Sequence, residues 1–245
     1  MKRFYVYTIM VLAILSCGRK TESGQVPLYP FSKDHFIDSY FRAIGLRASR
    51  PLVVNDAYPF GNIVFDIIFD REYLYAEEEK EIQEQVGDIA RIGGEKNTPR
   101  IASVNPFSKL TIVSDSDFND IPAGSPLDAI IRVIGATAWP VFKDLHCEDD
   151  YYYQELDGSL KGYKSVARND GTGTLSDIAR YFHPSFFWYE KFVSELRPDD
   201  LFLSGPAIFF GISETPAIKK QKLTITLEEE GGKTYSCDVD VEFPS

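Results

Sequence analysis

The clearest alternation of apolar and polar positions lies near the C-terminus, in "KLTITLEEEGGKTYSCDVDVEF". Leu223, Ile225 and Leu227 alternate with Thr224, Thr226 and Glu228. After Gly231-Gly232, Tyr235, Cys237, Val239, Val241 and Phe243 alternate with Ser236, Asp238, Asp240 and Glu242. Period two on both sides of a Gly-Gly turn predicts a β-hairpin with one buried and one wet face. "NIVFDIIFD" repeats the pattern, with Ile63, Phe65, Ile67 and Phe69 on one face and Asp66 and Asp70 on the other. "PRIASV" and "KLTIVSD" read as two further strands around the Asn105-Pro106 turn, and "DDLFLSGPAIFFGI" as one or two more, broken at Gly205-Pro206. Short alternating strands with turn residues between them predict a mainly β chain, an antiparallel immunoglobulin-like β-sandwich with helical insertions.

Three stretches read as those helices. "SPLDAIIRVIG" has Ser125 as N-cap, Pro126 at the first helical position, Asp128 closing a capping box and Gly135 as a stop, which predicts a helix over 126–135. A second helical region is expected over 175–196, broken at Pro184, with Phe186, Phe187, Tyr189, Val193 and Leu196 covering one end of a sheet. In "AEEEKEIQEQVGDIARIGG" Ile82, Val86 and Ile89 fall at helical spacing, and the acidic run is a solvated face.

The N-terminus follows another logic. Lys2 and Arg3 precede an uncharged, mostly apolar run from Phe4 to Ser16. It is too short for a spanning helix, which needs about 20 residues, and fits the core of a secretory signal peptide. Ile14-Leu15-Ser16-Cys17 resembles the bacterial lipobox, which implies cleavage before Cys17 and a diacylglycerol on its thiol. A two-chain anchor of that kind holds a protein stably on a membrane. Residues 1–16 are then the signal peptide, 17–30 a polar tether, and 31–245 a single folded domain. Gly18-Arg19-Lys20 after the lipid cysteine is basic, whereas an acidic run there marks surface export in lipoproteins of the Bacteroides type. The resemblance implies an outer-membrane lipoprotein facing the periplasm rather than the cell surface.

Composition adds limits. With 44% hydrophobic and 14% aromatic residues the chain is globular, and its formal charge of −11 makes nucleic acid a poor partner. Beyond Cys17 the cysteines are Cys147 and Cys237, an even pair in an oxidising compartment. A disulfide between them closes a loop of about 90 residues and contributes roughly 4 kcal/mol in the chain-entropy model; two unpaired buried thiols are the alternative.

"KLTIVSDSDFNDIPAGSPLDAII" is similar to a segment that recurs in uncharacterised lipoproteins of the Bacteroides type, a family of unknown function. There a strand passes through a "D-x-D-F" turn into "P-A-G-S" and a short helix. The closing hairpin is similar too. The likeness covers the leader, this stretch and the C-terminus, and implies a β-sandwich lipoprotein without an assigned activity. The stretch from about Phe142 to Gly173 has no counterpart.

Few residues are arranged for chemistry. In "DSDFND", Asp115, Asp117 and Asn119 match the first oxygen positions of a calcium loop, but Asp120 stands where glycine is needed and Pro126 where a bidentate glutamate is needed. A turn whose aspartates cap backbone N–H groups is the simpler reading. "HCEDDYYYQELDG" is the densest polar and aromatic cluster. His146, Glu148, Asp149 and Asp150 are nearly adjacent, which suits one metal ion poorly, whereas Tyr151, Tyr152 and Tyr153 form a candidate platform for sugar rings. "GTGTLSDIARYF" lacks the third glycine and the lysine of phosphate loops. There is no G-x-S-x-G, H-E-x-x-H or C-x-x-C, and His35, His146 and His183 are scattered. No cofactor, metal or catalytic residue is expected. The reading is a non-catalytic binding or structural module with a glycan or envelope-protein partner. A carboxylate-dependent glycoside hydrolase and a structural subunit of a surface fibre are the alternatives.

Overall fold

The computed structural model describes residues 35–53, 61–88, 100–142, 166–167, 174–175 and 186–244. The protein is mainly β. Its larger sheet has β1 (Ser39–Ala48) antiparallel to β3 (Ile63–Tyr73) and parallel to the short β4 (Ile101–Ser103). The sheet continues from β3 through β10 (Ala207–Ile212) and β6 (Ile131–Thr137) to β9 (Phe187–Phe192), all antiparallel. β2 (Leu52–Val53) pairs with the start of β3 on the side that β1 occupies further along. The smaller sheet is antiparallel, in the order β12 (Thr234–Glu242), β11 (Lys220–Glu229), β5 (Phe107–Ser114). A two-stranded ribbon joins β7 (Val166–Ala167) to β8 (Thr174–Leu175).

The two main sheets share one core. Ile63, Phe65, Ile67 and Phe69 of β3 point into it, as do Ile112 of β5, Leu223, Ile225 and Leu227 of β11, and Val239 and Val241 of β12. Phe65 stacks on Phe210 with ring centroids 5.1 Å apart, and Phe69 stacks on Phe107 at 5.6 Å. The alternation expected for the hairpin and for β3 is what aims these side chains inward.

The other face of the larger sheet is covered as well, so the molecule has a third layer. Val64, Ala102, Ile134, Ala136 and Phe209 pack there with Phe186, Phe202 and Val86 of helix α1 (Ala76–Val86). Asp66 on this face is only 2% exposed, where an open sheet would have left it wet. Helix α1 ends as its sequence suggests. Gly87 takes the left-handed conformation at φ 74°, and the Asp88 N–H reaches the Gln83 carbonyl at 2.8 Å. The Asp88 carboxylate then accepts the N–H groups of Phe36 (2.7 Å) and Ile37 (3.0 Å) and the Tyr40 hydroxyl (2.7 Å). Burial, reinforced by Asp88, holds the Tyr40 phenol far above its ordinary range.

Two expected helices are corrected. Residues 126–135 form a turn followed by most of β6. Pro126 bridges to Val113, and Asp128 turns its carboxylate to the Ile112 N–H at 3.2 Å instead of closing a capping box. Ile131 and Val133 face the shared core while Ile134 and Ala136 face the third layer, so both faces of this strand are apolar and the helical spacing was accidental. Within 175–196, the described residues give β8 at Thr174–Leu175, strand β9 at Phe187–Phe192 and a 3-10 turn at Val193–Glu195. The aromatic run from Phe186 to Tyr189 suits a pleated surface at least as well as a helix. The turn at "DSDFND" is built from caps. The Asp115 carboxylate accepts the Lys222 N–H at 3.0 Å, and Asp117 accepts the Ala123 N–H at 2.9 Å.

Candidate functional site

Edges decide what a sheet can recruit, and the smaller sheet treats its two edges differently. Along β5 the outer edge is closed by the segment 121–131. Gly124 N–H bonds to the Ser114 carbonyl and Leu127 N–H to the Ile112 carbonyl, each at 2.8 Å, and the Asp128 side chain takes the Ile112 N–H. Along β12 no described residue pairs with the outer edge. Phe243 N–H points inward to the Lys219 carbonyl at 2.8 Å, in register with the whole β11–β12 ladder. Antiparallel alternation therefore turns the N–H and C=O groups of Thr234, Ser236, Asp238, Asp240 and Glu242 outward.

Beside this edge runs a groove of about 1340 Å³, walled by residues 48–53 on one side and by the last residues of β12 on the other. β1 runs close beside β12 without pairing to it, and the groove begins at Ala48, where β1 ends. Its charged lining is mixed, with Asp238, Asp240 and Glu242 on the wet face of β12 facing Arg50, Lys219, Lys220 and Lys222, while Leu52, Val239 and Val241 beneath it are buried. One strand inward, Lys222 lies 2.9 Å from Asp238 and Lys220 lies 3.5 Å from Glu242. Its hydrogen bonds to Lys222 and Thr224 hold the Asp238 carboxyl below the usual carboxylate range, and Asp238 in turn raises Lys222. Asp240 lies directly opposite Lys222 on the neighbouring strand and its charge also favours the Lys222 ammonium. The groove exceeds the roughly 300–1,000 Å³ of small-molecule pockets.

Several buried polar groups elsewhere are held by other parts of the protein. Asn105 donates to Glu229 (2.6 Å) and Tyr235 (3.0 Å) and accepts the Ala43 N–H (2.6 Å), tying the two sheets together. Arg100 N–H donates to Asp38 at 2.8 Å, and the Arg100 guanidinium sits 4.7 Å from the Phe36 ring centroid. Lys191 donates to Asp200. Among the described residues no group of three His, Cys, Asp or Glu side chains is placed to hold a metal ion.

Of the residues singled out in the sequence, Cys17, Cys147, Tyr151, Tyr152 and Tyr153 lie outside the described residues, as do His146 and His183. Cys237 is on the core face of β12, half-buried, with a free thiol. Burial and the neighbouring Asp238 push that thiol up to about 11, so it stays protonated and unreactive at neutral pH. His35 is held by its Nδ1 at 2.6 Å from the Asp88 carbonyl. The β12 edge was missed in the sequence, although its acidic alternation stood in plain view as the wet face of the hairpin. No helix among the described residues is long and apolar enough to cross a membrane. No family model, curated protein or solved structure matches the chain.

Proposed function

We propose that this chain is a lipid-anchored cell-envelope protein, held at Cys17 on the outer membrane, periplasm-facing, whose folded domain works by binding rather than catalysis. The lipobox-like leader and the likeness to uncharacterised Bacteroides-type lipoproteins support the anchor. The observation that carries the binding role is the unpaired edge of β12 beside its groove, which favours an envelope-protein partner over a glycan. The glycan platform rests on Tyr151, Tyr152 and Tyr153, outside the described residues. Two facing sheets with a common core support the sandwich reading of the fold. The immunoglobulin-like version of it has the parallel β1–β4 pair and the strand order of the larger sheet against it. The same β12 edge favours a second reading, a fibre subunit that accepts a strand donated by its neighbour.

Cys17→Ala is expected to leave an uncleaved precursor or a protein released from membranes, read by fractionation and gel mobility. Normal maturation with continued lipid partitioning would remove the anchor from the proposal. For the binding role, a photoreactive residue at position 240 is expected to crosslink to another envelope protein in living cells, while one at Asp120, beside the closed edge, does not. Equal adducts at both sites, or none at either, would sink the binding module. A ladder of multiples of the chain itself would favour the fibre.

A further inference from the structure

We infer that residues 35–40 and helix α1 form a latch, a unit that opens as one piece while the core between the two main sheets stays folded. Phe36 and Ile37 precede β1, and their N–H groups go to the Asp88 carboxylate at 2.7 and 3.0 Å. The Tyr40 hydroxyl donates to the same carboxylate at 2.7 Å, and His35 Nδ1 donates to the Asp88 carbonyl at 2.6 Å. Asp88 in turn is set by the C-terminus of α1, through its N–H bond to the Gln83 carbonyl. Arg100 closes a second clasp on the entering segment. Its N–H donates to the Asp38 carboxylate at 2.8 Å and its carbonyl accepts the Asp38 N–H at 2.9 Å. Its guanidinium donates to the His35 carbonyl at 3.3 Å and lies against the Phe36 ring.

Helix α1 has little else to hold it. A helix of 11 residues is marginal by itself in water, and Val86 is the one side chain it buries fully. Gln85 Oε1 is buried without a hydrogen bond among the described residues, a cost to the closed state. A carboxylate just past a helix C-terminus also opposes the helix dipole, so Asp88 fastens α1 through the entering segment and not through the helix's own field. The sandwich core does not depend on these contacts. Phe41, Ala43 and Leu46 of β1 belong to that core, whereas Ile37, Tyr40, Leu74 and Val86 belong to the third layer. Release at Asp88 takes from the second group and leaves the first. Under the proposed anchor the tether enters the domain at this latch, so a pull on the lipid reaches Asp88 before it reaches β1; that consequence alone rests on the anchor.

The test is amide hydrogen exchange on the full chain in detergent. In the parent, amides of 36–40 and 76–88 are expected to share one opening, and to exchange at least about tenfold faster than those of 63–69 and 223–227. Asp88→Ala is expected to speed both segments by a further factor of about ten or more and to leave 223–227 and 235–241 unchanged. Arg100→Gln alters the clasp on the entering segment, and is expected to speed the α1 amides as well, which a merely local role would not do. Tyr40→Phe removes one hydrogen bond and keeps the ring; it is expected to act in the same direction by less, and it serves if Asp88→Ala does not fold. Amides of α1 that exchange only with global unfolding in the parent, or that ignore Arg100→Gln, would overturn the inference. So would an Asp88→Ala variant that speeds one segment without the other. The exchange reads the latch whether or not Cys17 carries lipid, so its failure is distinct from failure of the anchor in the fractionation experiment.

Discussion

Asp200→Ala is expected to lower the unfolding free energy by about 3–5 kcal/mol, the cost of breaking a buried ion pair from one side. Asp200 is fully buried in the first turn of the short helix α2 (Pro198–Leu201). Its carboxylate accepts the Lys191 ammonium at 3.1 and 3.2 Å and the Arg197 N–H at 2.8 Å. The Lys191 side chain is itself only 11% exposed, so alanine at 200 takes from a largely buried ammonium the carboxylate it binds at 3.1 Å. Asp200→Leu combined with Lys191→Met removes both charges and is expected to recover most of the loss. Urea unfolding at neutral pH measures both variants. A single-variant loss under about 1 kcal/mol would mean that Lys191 reaches water or another acceptor and that the pair is not a stability determinant.

Gly135→Ala is expected to cost about 3 kcal/mol, at the upper end of overpacking effects. Gly135 faces Tyr189 across the β6–β9 ladder, and Tyr189 is fully buried. A Cβ on residue 135 would lie 3.0 Å from Cε1 of Tyr189 and closer still to its hydroxyl. The ring fills the place a side chain would take, and the core beneath it leaves little room to retreat. In a double-mutant cycle with Tyr189→Ala, the added methyl is expected to cost much less than in the parent, because the two changes share one space. Strict additivity in that cycle would place the strain elsewhere.

Gly135 also shows where reading the sequence failed and why. As a helix stop it fitted the spacing of "SPLDAIIRVIG", yet a strand buried on both faces also reads as a nearly unbroken apolar run. The third layer that buries the second face is built from α1, Phe186 and Phe202, remote in sequence, so no local signal distinguished the two cases. Where one face stays wet the local signal was sufficient. The hairpin of β11 and β12 and the core row of β3 stand as their alternation predicts, and α1 ends at Gly87 one residue after its last buried side chain, Val86. The candidate site was half legible. Its acids were visible at Asp238, Asp240 and Glu242, but edge status was not. That status depends on β5 pairing the far side of β11, with Leu110 opposite Leu227 and over a hundred residues apart in the chain.

The unequal edges of the small sheet also set a stoichiometry. A sheet that recruits a strand on β12 presents a new edge belonging to the recruit, while its β5 side stays closed by the segment 121–131. Growth through this sheet therefore stops after one addition unless the newcomer brings an edge of its own to continue with. Under the proposed binding role, the domain would be a terminus that accepts one segment per copy. Any longer assembly takes its length from the partner.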